Sequence, residues 1–336
     1  MTTTTLTDGE LGSYLLDLRG RQWIAGAVHD RDPYALLLRG FGDPAAHHRR
    51  MAERGPLFLS SAGVWVATAR DVCAAVIDGP EFGLWYPDPA DGRRSPYAMP
   101  RPLLAHVLGL DEASLRRPRG EYEAIDPEPW RPLAERVAQR WLAGASGPGD
   151  PGDLGDLARV ARGIAADVVA GAVGVDAGLC HDTAPALDAL CCPPPFPVAR
   201  RLTAAVRELR GRPRNAVLLA VAGTEVAANL MCAVLLDAGE PPVHLQHRVA
   251  QQDLDLAGHA VEAGSEIVAL TGPHEELALA GGLYLSAVAP FARMCAQVAR
   301  AAAESAGRLP RPAGPGVRRL RSPVTQAWAR LPVTFG

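Results

Sequence analysis

Few side chains in the sequence have the type and spacing that catalysis or metal binding requires. Glu225 lies on an otherwise apolar helical segment. A buried carboxylate is costly unless it is paired or protonated, so this residue could be a catalytic acid or base, or an inherited part of a scaffold. His47 with His48, and His244 with His247, could each bind a metal, but no third ligand at a suitable spacing accompanies either pair. We therefore interpret these histidines as surface or core residues.

Composition excludes several other kinds of active site. All 34 basic residues are arginine, because the sequence contains no lysine. A phosphate-binding loop needs a lysine ammonium group and a Schiff-base enzyme needs a lysine amine, so neither can operate here. Gly147, Gly149 and Gly152 have the spacing of a dinucleotide site, but prolines interrupt the run and a helix precedes it, so we interpret it as a linker. Six cysteines at irregular spacings are expected to be buried or idle thiols: Cys73, Cys180, Cys191, Cys192, Cys232 and Cys295.

The overall composition is that of a globular protein. The chain has 336 residues, 48% of them hydrophobic, which is enough to bury a large core. Its net charge of -3 gives no electrostatic reason to expect nucleic acid as a partner. We find no unbroken apolar run of membrane-spanning length and no signal pattern at the start, so we expect no membrane association and a cytoplasmic location.

Hydrophobic periodicity predicts a small β part and a larger α part. Helical spacing covers most of the third quarter, and a final helix with Pro290 in its first turn is predicted near the end, before an extended tail. A loop rich in proline, glycine and arginine is predicted between 83 and 119. The predicted elements are two short strands and a helix at 57–79, helices at 130–143, 153–173, 198–210 and 215–237, a hairpin at 243–270 and the final helix at 289–306.

Four separated stretches, in order, form a recognisable set of landmarks. The first runs from Asp32-Pro33-Tyr34 through Gly55-Pro56 and Trp65-Val66 to Phe82-Gly83. The second is AVAGTEVAAN at 220–229. The third, and the most specific, fits R-x-A-x(2)-D-x(4)-G-x(2)-I-x(2)-G with valine in place of isoleucine, at Arg248, Ala250, Asp253, Gly258, Val261 and Gly264. The fourth is LAGGLYLSAVAPFARMCAQVA at 279–299.

These landmarks resemble those of the cytochrome P450 family of haem-thiolate monooxygenases. The resemblance implies a mainly α fold with a small β part, and it places Ser286 where the family has the cysteine that binds the haem iron. A serine hydroxyl cannot replace the soft thiolate. In the same register Leu279 replaces a phenylalanine, Tyr284 replaces a basic residue that meets a haem propionate, and Val288 replaces a glycine. Val226 stands where a hydroxyl helps to deliver protons to bound oxygen.

The resemblance therefore implies a retained scaffold without haem chemistry. Only a short run separates Val268 from Ser286, so the segment that precedes the cysteine loop in the family is largely deleted. The E-x-x-R pair of the family is also missing from the helix before the hairpin, near Leu235 to Ala238. We expect no bound cofactor, no monooxygenase activity and one degenerate P450-like domain over 1–336, with an N-terminal extension at 1–30 and an extended tail at 310–336.

Within this family the chain is similar to haem-free relatives that act as auxiliary proteins for glycosyltransferases of macrolide and anthracycline biosynthesis. The specific similarity lies in LRGRQWIAGAVHDRDPYALLL at 18–38 and RRLRSPVTQAWARLPV at 318–333. The resemblance implies a complex with a glycosyltransferase that transfers a nucleotide-activated deoxyaminosugar to a polyketide aglycone. Apolar anchors for this partner are predicted at the N-terminus, where Trp23 could instead cap the core of the domain itself: Leu11, Leu15, Leu16 and Trp23.

Two alternatives belong to other functional classes. The chain could carry a hydrophobic aglycone in the space that haem vacated. It could also be an enzyme with haem-free chemistry that uses Glu225, His244 or His247 as acid or base, although no complete set of nucleophile, base and orienting group is evident. Stabilisation by a ligand would favour the carrier, and turnover by the isolated chain would favour the enzyme.

Overall fold

The computed structural model describes residues 7–27, 32–40, 42–84, 87, 124–144, 155–209, 211–281 and 284–335. The loop predicted between 83 and 119 lies almost entirely outside these residues. The glycines of the rejected dinucleotide pattern lie outside them as well.

The described part of the chain is mainly helical, as predicted. The helices α2 and α3 begin with the same sequence device, an aspartate followed by proline, in which the side chains of Asp32 and Asp43 accept hydrogen bonds from first-turn amides. The helices are α1 (Asp8–Ala27), α2 (Pro33–Arg39), α3 (Pro44–Ala52), α4 (Arg70–Asp78), α5 (Arg131–Gly144), α6 (Leu157–Val173), α7 (Ala177–Thr183), α8 (Phe196–Leu209), α9 (Arg214–Leu235) and α10 (Tyr284–Ser305).

The central helix α9 is irregular in its middle. Residues Leu219–Gly223 form a π-helical segment, and the Thr183 hydroxyl donates a 2.7 Å hydrogen bond to the carbonyl of Ala220 in that segment. By length and composition α9 could cross a membrane, contrary to the expectation from the sequence. However, 83% of its most apolar window is buried inside the fold, so its apolar character follows from packing on all sides.

A five-stranded sheet forms the main β part. Its order is β1-β2-β8-β5-β3, with β2 and β8 parallel and the other neighbours antiparallel. β1 and β2 confirm the two strands predicted within 57–79, and β5 to β8 confirm the hairpin region predicted at 243–270, whereas β3 was not predicted. The strands are β1 (Leu57–Leu59), β2 (Trp65–Ala67), β3 (Phe82–Gly83), β4 (Gly155–Asp156), β5 (Leu245–Ala250), β6 (Leu254–Leu256), β7 (His259–Val261), β8 (Glu266–Leu270), β9 (Pro310–Pro312), β10 (Val317–Arg318), β11 (Trp328–Arg330) and β12 (Pro332–Phe335).

The spacing of the third landmark has a local physical basis. Gly258 and Gly264 have φ of 80° and 84°, in the left-handed region that glycine tolerates best, and each ends a turn of the hairpin. The carboxylate of Asp253 accepts a 2.8 Å hydrogen bond from the amide of Ala263, which closes the hairpin. The third landmark therefore specifies the two glycine turns of the hairpin and the hydrogen bond from Ala263 to Asp253 that closes it.

The buried carboxylate of Asp188 helps to hold the extended tail to the helical part. Asp188 accepts hydrogen bonds from the hydroxyls of Ser322 and Thr325, each 2.7 Å long. It also accepts bonds from the amides of Val324 and Thr325, each 2.9 Å long. Since Asp188 is 3% exposed, these donors replace water around the carboxylate.

The last helix differs from the prediction at its start. Helix α10 begins at Tyr284 rather than Ala289, so Pro290 lies inside the helix instead of in its first turn. Proline has no amide hydrogen for the carbonyl four residues earlier, which belongs to Ser286. The neighbouring carbonyl of Ala287 accepts a 3.0 Å hydrogen bond from the amide of Ile125. The leucine and alanines of this run favour helix, and the glycine that resemblance led us to expect at 288 is a valine.

Candidate functional site

The five residues that the resemblance assigns to haem-site positions lie on α9, on α10 and just before α10. Ser286 is the third residue of α10 and is half-buried, so it lies in a helix and not in a loop. Val226 on α9 and Val288 on α10 are fully buried, and Tyr284 is 1% exposed. Leu279 lies just before α10 and packs partly buried against the core. Val226, Tyr284 and Val288 belong to one hydrophobic core, against which Leu279 packs.

Close packing continues on either side of this junction. Phe291 of α10 is fully buried and meets the ring of Trp130 edge-on, at a centroid distance of 6.4 Å. A Cβ at Gly223 would lie 3.5 Å from the same Phe291 ring. The π-helical segment of α9 and the first half of α10 therefore pack against one another directly.

A buried arginine lies next to the start of α10. Arg248 is 1% exposed, and its Nη1 and Nη2 donate to the carbonyl of His247 at 2.9 Å and to Oε1 of Gln246 at 2.8 Å. Burial raises the pKa of Tyr284 to about 12, and the charge of Arg248 opposes that rise. Tyr284 is thus a neutral phenol beside a guanidinium that protein groups hold in place.

These residues do not fit a haem-thiolate centre. Ser286 offers an alcohol from the first turn of a helix, where the iron would require a thiolate. Val288 and Tyr284 fill their surroundings with side chains, and both belong to the core. We therefore derive no reaction step through haem in this protein.

Glu225 is fully engaged in an ion triad. Its carboxylate has no solvent exposure and accepts from Arg162 at 3.3 and 3.4 Å and from Arg319 at 3.0 Å. Burial alone would raise the pKa of Glu225, but the charges of Arg319 and Arg162 outweigh it and hold the pKa below its ordinary value. A carboxylate in this state is a poor proton donor or acceptor near neutral pH, which counts against its predicted alternative role as a catalytic acid or base.

The structure brings together two of the histidines that the sequence had left apart. His48 of α3 and His244, which precedes β5, have ring centroids 5.9 Å apart, and both are buried. Nε2 of His48 lies 3.2 Å from Nε2 of Gln326 in the tail. His247 instead pairs with Glu266 across the sheet, at 3.3 Å. Within the described ranges no group of three histidine, cysteine or acidic residues is placed to hold a metal ion.

The six cysteines are unpaired and buried, which confirms the prediction of buried thiols. Burial raises the pKa of every one of them, to about 11 for Cys180 and to about 12 for Cys73. These thiols are protonated near neutral pH, so they are weak nucleophiles.

Two of the four predicted partner anchors are wrong. Leu11 and Leu15 are 3% and 2% exposed and belong to the core. Leu16 and Trp23 point outward, with exposures of 71% and 48%. The sequence shows an apolar helix, but the face that the rest of the fold covers depends on long-range packing. The sequence analysis also missed Ile24 and Leu320, which are 63% and 79% exposed.

The fold is that of a cytochrome P450. The structure of epothilone D-bound cytochrome P450epoK superposes with a TM-score of 0.63 at 17% identity, covering 92% of this chain and 99% of that chain. CYP154A1 from Streptomyces coelicolor A3(2) superposes with a TM-score of 0.62 at 17% identity, and the match covers 89% of this chain and 99% of that chain. No protein-family model matches the sequence.

Sequence relatives identify the group more closely. Protein AknT of Streptomyces galilaeus is 31% identical over 98% of this chain and 96% of its own length. Protein TylM3 of Streptomyces fradiae is 32% identical over 94% of this chain and 90% of its own length. The cytochrome P450 family protein EryCII of Saccharopolyspora erythraea is 27% identical over 98% of this chain and 99% of its own length. This chain belongs to the family of cytochrome P450 homologues that includes AknT and TylM3, which confirms the resemblance.

The packing at α10 predicts that a cysteine alone will not restore haem binding. We expect purified Ser286→Cys protein, incubated with haemin, to give no reduced-CO band of the thiolate type, because the residue lies in a helix against a filled core. The measurement is the reduced-CO difference spectrum, with Ser305→Cys at the exposed end of α10 as a control for non-specific haem binding. A thiolate-type band specific to Ser286→Cys would contradict the prediction.

The buried histidines predict acid lability. Burial, followed by the charge of His47, lowers the pKa of His48 to about 4, and burial, followed by His48, lowers that of His244 to about 3. The unfolded chain binds protons near pH 6.5 and the folded chain does not, so stability is retained above that pH and lost as the pH falls toward 4. We expect the free energy of unfolding to decrease by up to about 1.4 kcal/mol per pH unit for each histidine.

Urea unfolding at pH 7.5, 6.5 and 5.5 measures the slope of the free energy of unfolding against pH. His48→Gln should show a shallower slope than the wild type, whereas His181→Gln, at an exposed position, should keep the wild-type slope. If the wild type and His48→Gln had identical slopes, the attribution of acid lability to His48 would be refuted.

Proposed function

We propose that this chain is a non-catalytic auxiliary protein that binds, stabilises and activates a glycosyltransferase. The transferase would attach a nucleotide-activated deoxyaminosugar to a polyketide aglycone, in the cytoplasm. The observation that carries the proposal is a cytochrome P450 fold over nearly the whole chain. It is supported by Ser286, which lies in a helix and which the sequence resemblance assigns to the iron-ligand position. The family's haem-free members that resemble this sequence are auxiliary proteins, which supports the assignment.

The described residues give little support to the catalytic alternative. Glu225 is neutralised by two arginines, His244 is buried and has a lowered pKa, and His247 is 2% exposed and paired with Glu266. A catalytic acid or base needs both access to substrate and a pKa near the working pH. We therefore propose that the chain contributes no reacting group.

The carrier alternative is also less well supported. Val226, Val288 and Phe291 are fully buried in the region between α9 and α10 where a haem-sized ligand would lie. An aglycone would have to displace this packing, and each displaced core contact costs free energy. A separate activator needs no such cavity.

An auxiliary protein can activate an enzyme without chemistry of its own. If it binds the active conformation of the transferase more tightly than the inactive one, the active population rises by the ratio of the two affinities. The same binding also stabilises the folded transferase by mass action. Both effects require only a complementary surface.

Reconstitution tests the proposal. The glycosyltransferase encoded beside this chain is purified alone and mixed with increasing amounts of this protein, and sugar transfer is followed by product formation. We expect a saturable increase of about 5-fold to 150-fold, the range of common coupling energies, and a raised melting temperature of the transferase. The same additions of serum albumin serve as the control. If the two proteins neither associate nor change the rate or the stability, the proposal fails.

A further inference from the structure

Helix α1 carries an apolar stripe on its outer side. Leu16 and Trp23 lie two turns apart on that side, at the exposures given above, and Ile24 is beside them. The opposite side of the helix is fixed to the fold, where the buried Gln22 donates a 2.9 Å hydrogen bond to the carbonyl of Cys191. Single exposed apolar residues are common, but several on one helix face mark an interaction surface.

This stripe continues onto the C-terminal tail. The guanidinium of Arg39, at the end of α2, lies 3.8 Å from the centroid of the Trp23 ring. The next residue, Gly40, has φ of 73°, and a Cβ there would lie 3.2 Å from the backbone nitrogen of Arg321. Leu320, the residue before Arg321, is 79% exposed. The two segments that carry the specific sequence similarity, 18–38 and 318–333, thus meet in one face.

Arg19, on α1, and Arg321, in the tail, are two cations of this face. Among the residues that the structure describes, neither Arg19 nor Arg321 forms an ion pair with a carboxylate, and Nε and Nη2 of Arg19 are buried without a hydrogen-bond partner. Burial and the positive charge of Arg321 lower the pKa of Arg19. Two like charges held close together, with donors unsatisfied, favour an anionic group supplied from outside.

A cavity between the tail and the end of α2 can receive such a group. It has a volume of about 170 Å³ and is lined by Leu37, Gly40, Arg319, Arg321 and Ser322 among others. Guanidinium groups bind carboxylates with strong, directional hydrogen bonds. The cavity is large enough for a carboxylate side chain.

We propose that Leu16, Arg19, Trp23, Arg39, Leu320 and Arg321 form the docking face for the glycosyltransferase, which presents apolar side chains flanked by carboxylates. This inference rests on the proposed function and names the surface that performs it. The apolar residues supply buried area, and the arginines orient the partner and select for acidic groups.

Charge argues against a second copy of this chain as the occupant. A symmetric dimer would bring the same patch of both copies together, so its arginines would face arginines. Like charges across an interface disfavour association. An acidic surface on a different protein has no such penalty.

Binding of the glycosyltransferase encoded beside this chain tests the face. Arg321→Glu and Leu320→Asp are each expected to raise the Kd measured by calorimetry by about tenfold or more, with a matching loss of activation at limiting concentration. Arg311→Glu, a charge reversal at an exposed arginine of β9, is the matched control and should stay within about twofold of wild type. Unchanged thermal unfolding of all three variants excludes a general folding defect.

The outcomes separate this inference from the proposed function. If the wild type binds and activates but Arg321→Glu and Leu320→Asp behave like Arg311→Glu, the docking face is wrong and the auxiliary function stands. If the wild type does not bind at all, both fall. A homodimer in sedimentation velocity that Arg321→Glu converts to monomer would identify a second copy as the occupant and overturn the assignment.

Discussion

The buried carboxylate of Glu225 is the interaction on which the arrangement of the other parts depends. It lies on the central helix and is neutralised by Arg162 from α6 and Arg319 from the tail. Removing one partner of a buried ion pair costs about 3–5 kcal/mol, because an uncompensated charge remains. Arg162 also donates a 3.0 Å hydrogen bond to the carbonyl of Trp328. The tail is therefore fixed to the central helix through Arg319 and to α6 through Arg162, and the arginines and leucine of its turn are presented in one orientation.

The protein has the P450 fold, and the junction of α9 and α10 within it is closely packed core. The π-helical irregularity of α9 persists, and its Ala220 carbonyl is satisfied by a threonine hydroxyl from α7. Helix α10 extends back to Tyr284 over the segment where the resemblance predicts a ligand loop, and Val288 fills space that a glycine would leave open. A scaffold kept for its outer surface is free to change in this way, because interior packing needs only apolar side chains of suitable volume.

The sequence predicted those features that depend on short-range patterns. The hairpin after α9 follows from two glycines and one aspartate at fixed spacing, and the helices of the third quarter follow from their periodicity. The assignment of Ser286 to the haem-ligand position rests on the sequence landmark around it and stays a prediction. The predicted start of α10 is wrong because proline is common in the first turn of helices, whereas Pro290 lies within this one.

Features that depend on contacts between distant segments were not predictable in the same way. Leu11 and Leu15 have the same residue type as Leu16, and only the packing of α1 against the fold distinguishes them. The partners of Glu225, the contact of His48 with His244 and the meeting of α1 with the tail each join residues that are far apart in the chain. No local pattern records such contacts.

Hydrogen–deuterium exchange of this chain, with and without the glycosyltransferase encoded beside it, tests most directly the claim that the outer face acts and the former haem site does not. The account predicts slower amide exchange on complex formation in peptides from α1 and from the tail at 317–328, with α10 unchanged. Protection confined to α9 and α10, with none in α1 or the tail, would contradict it.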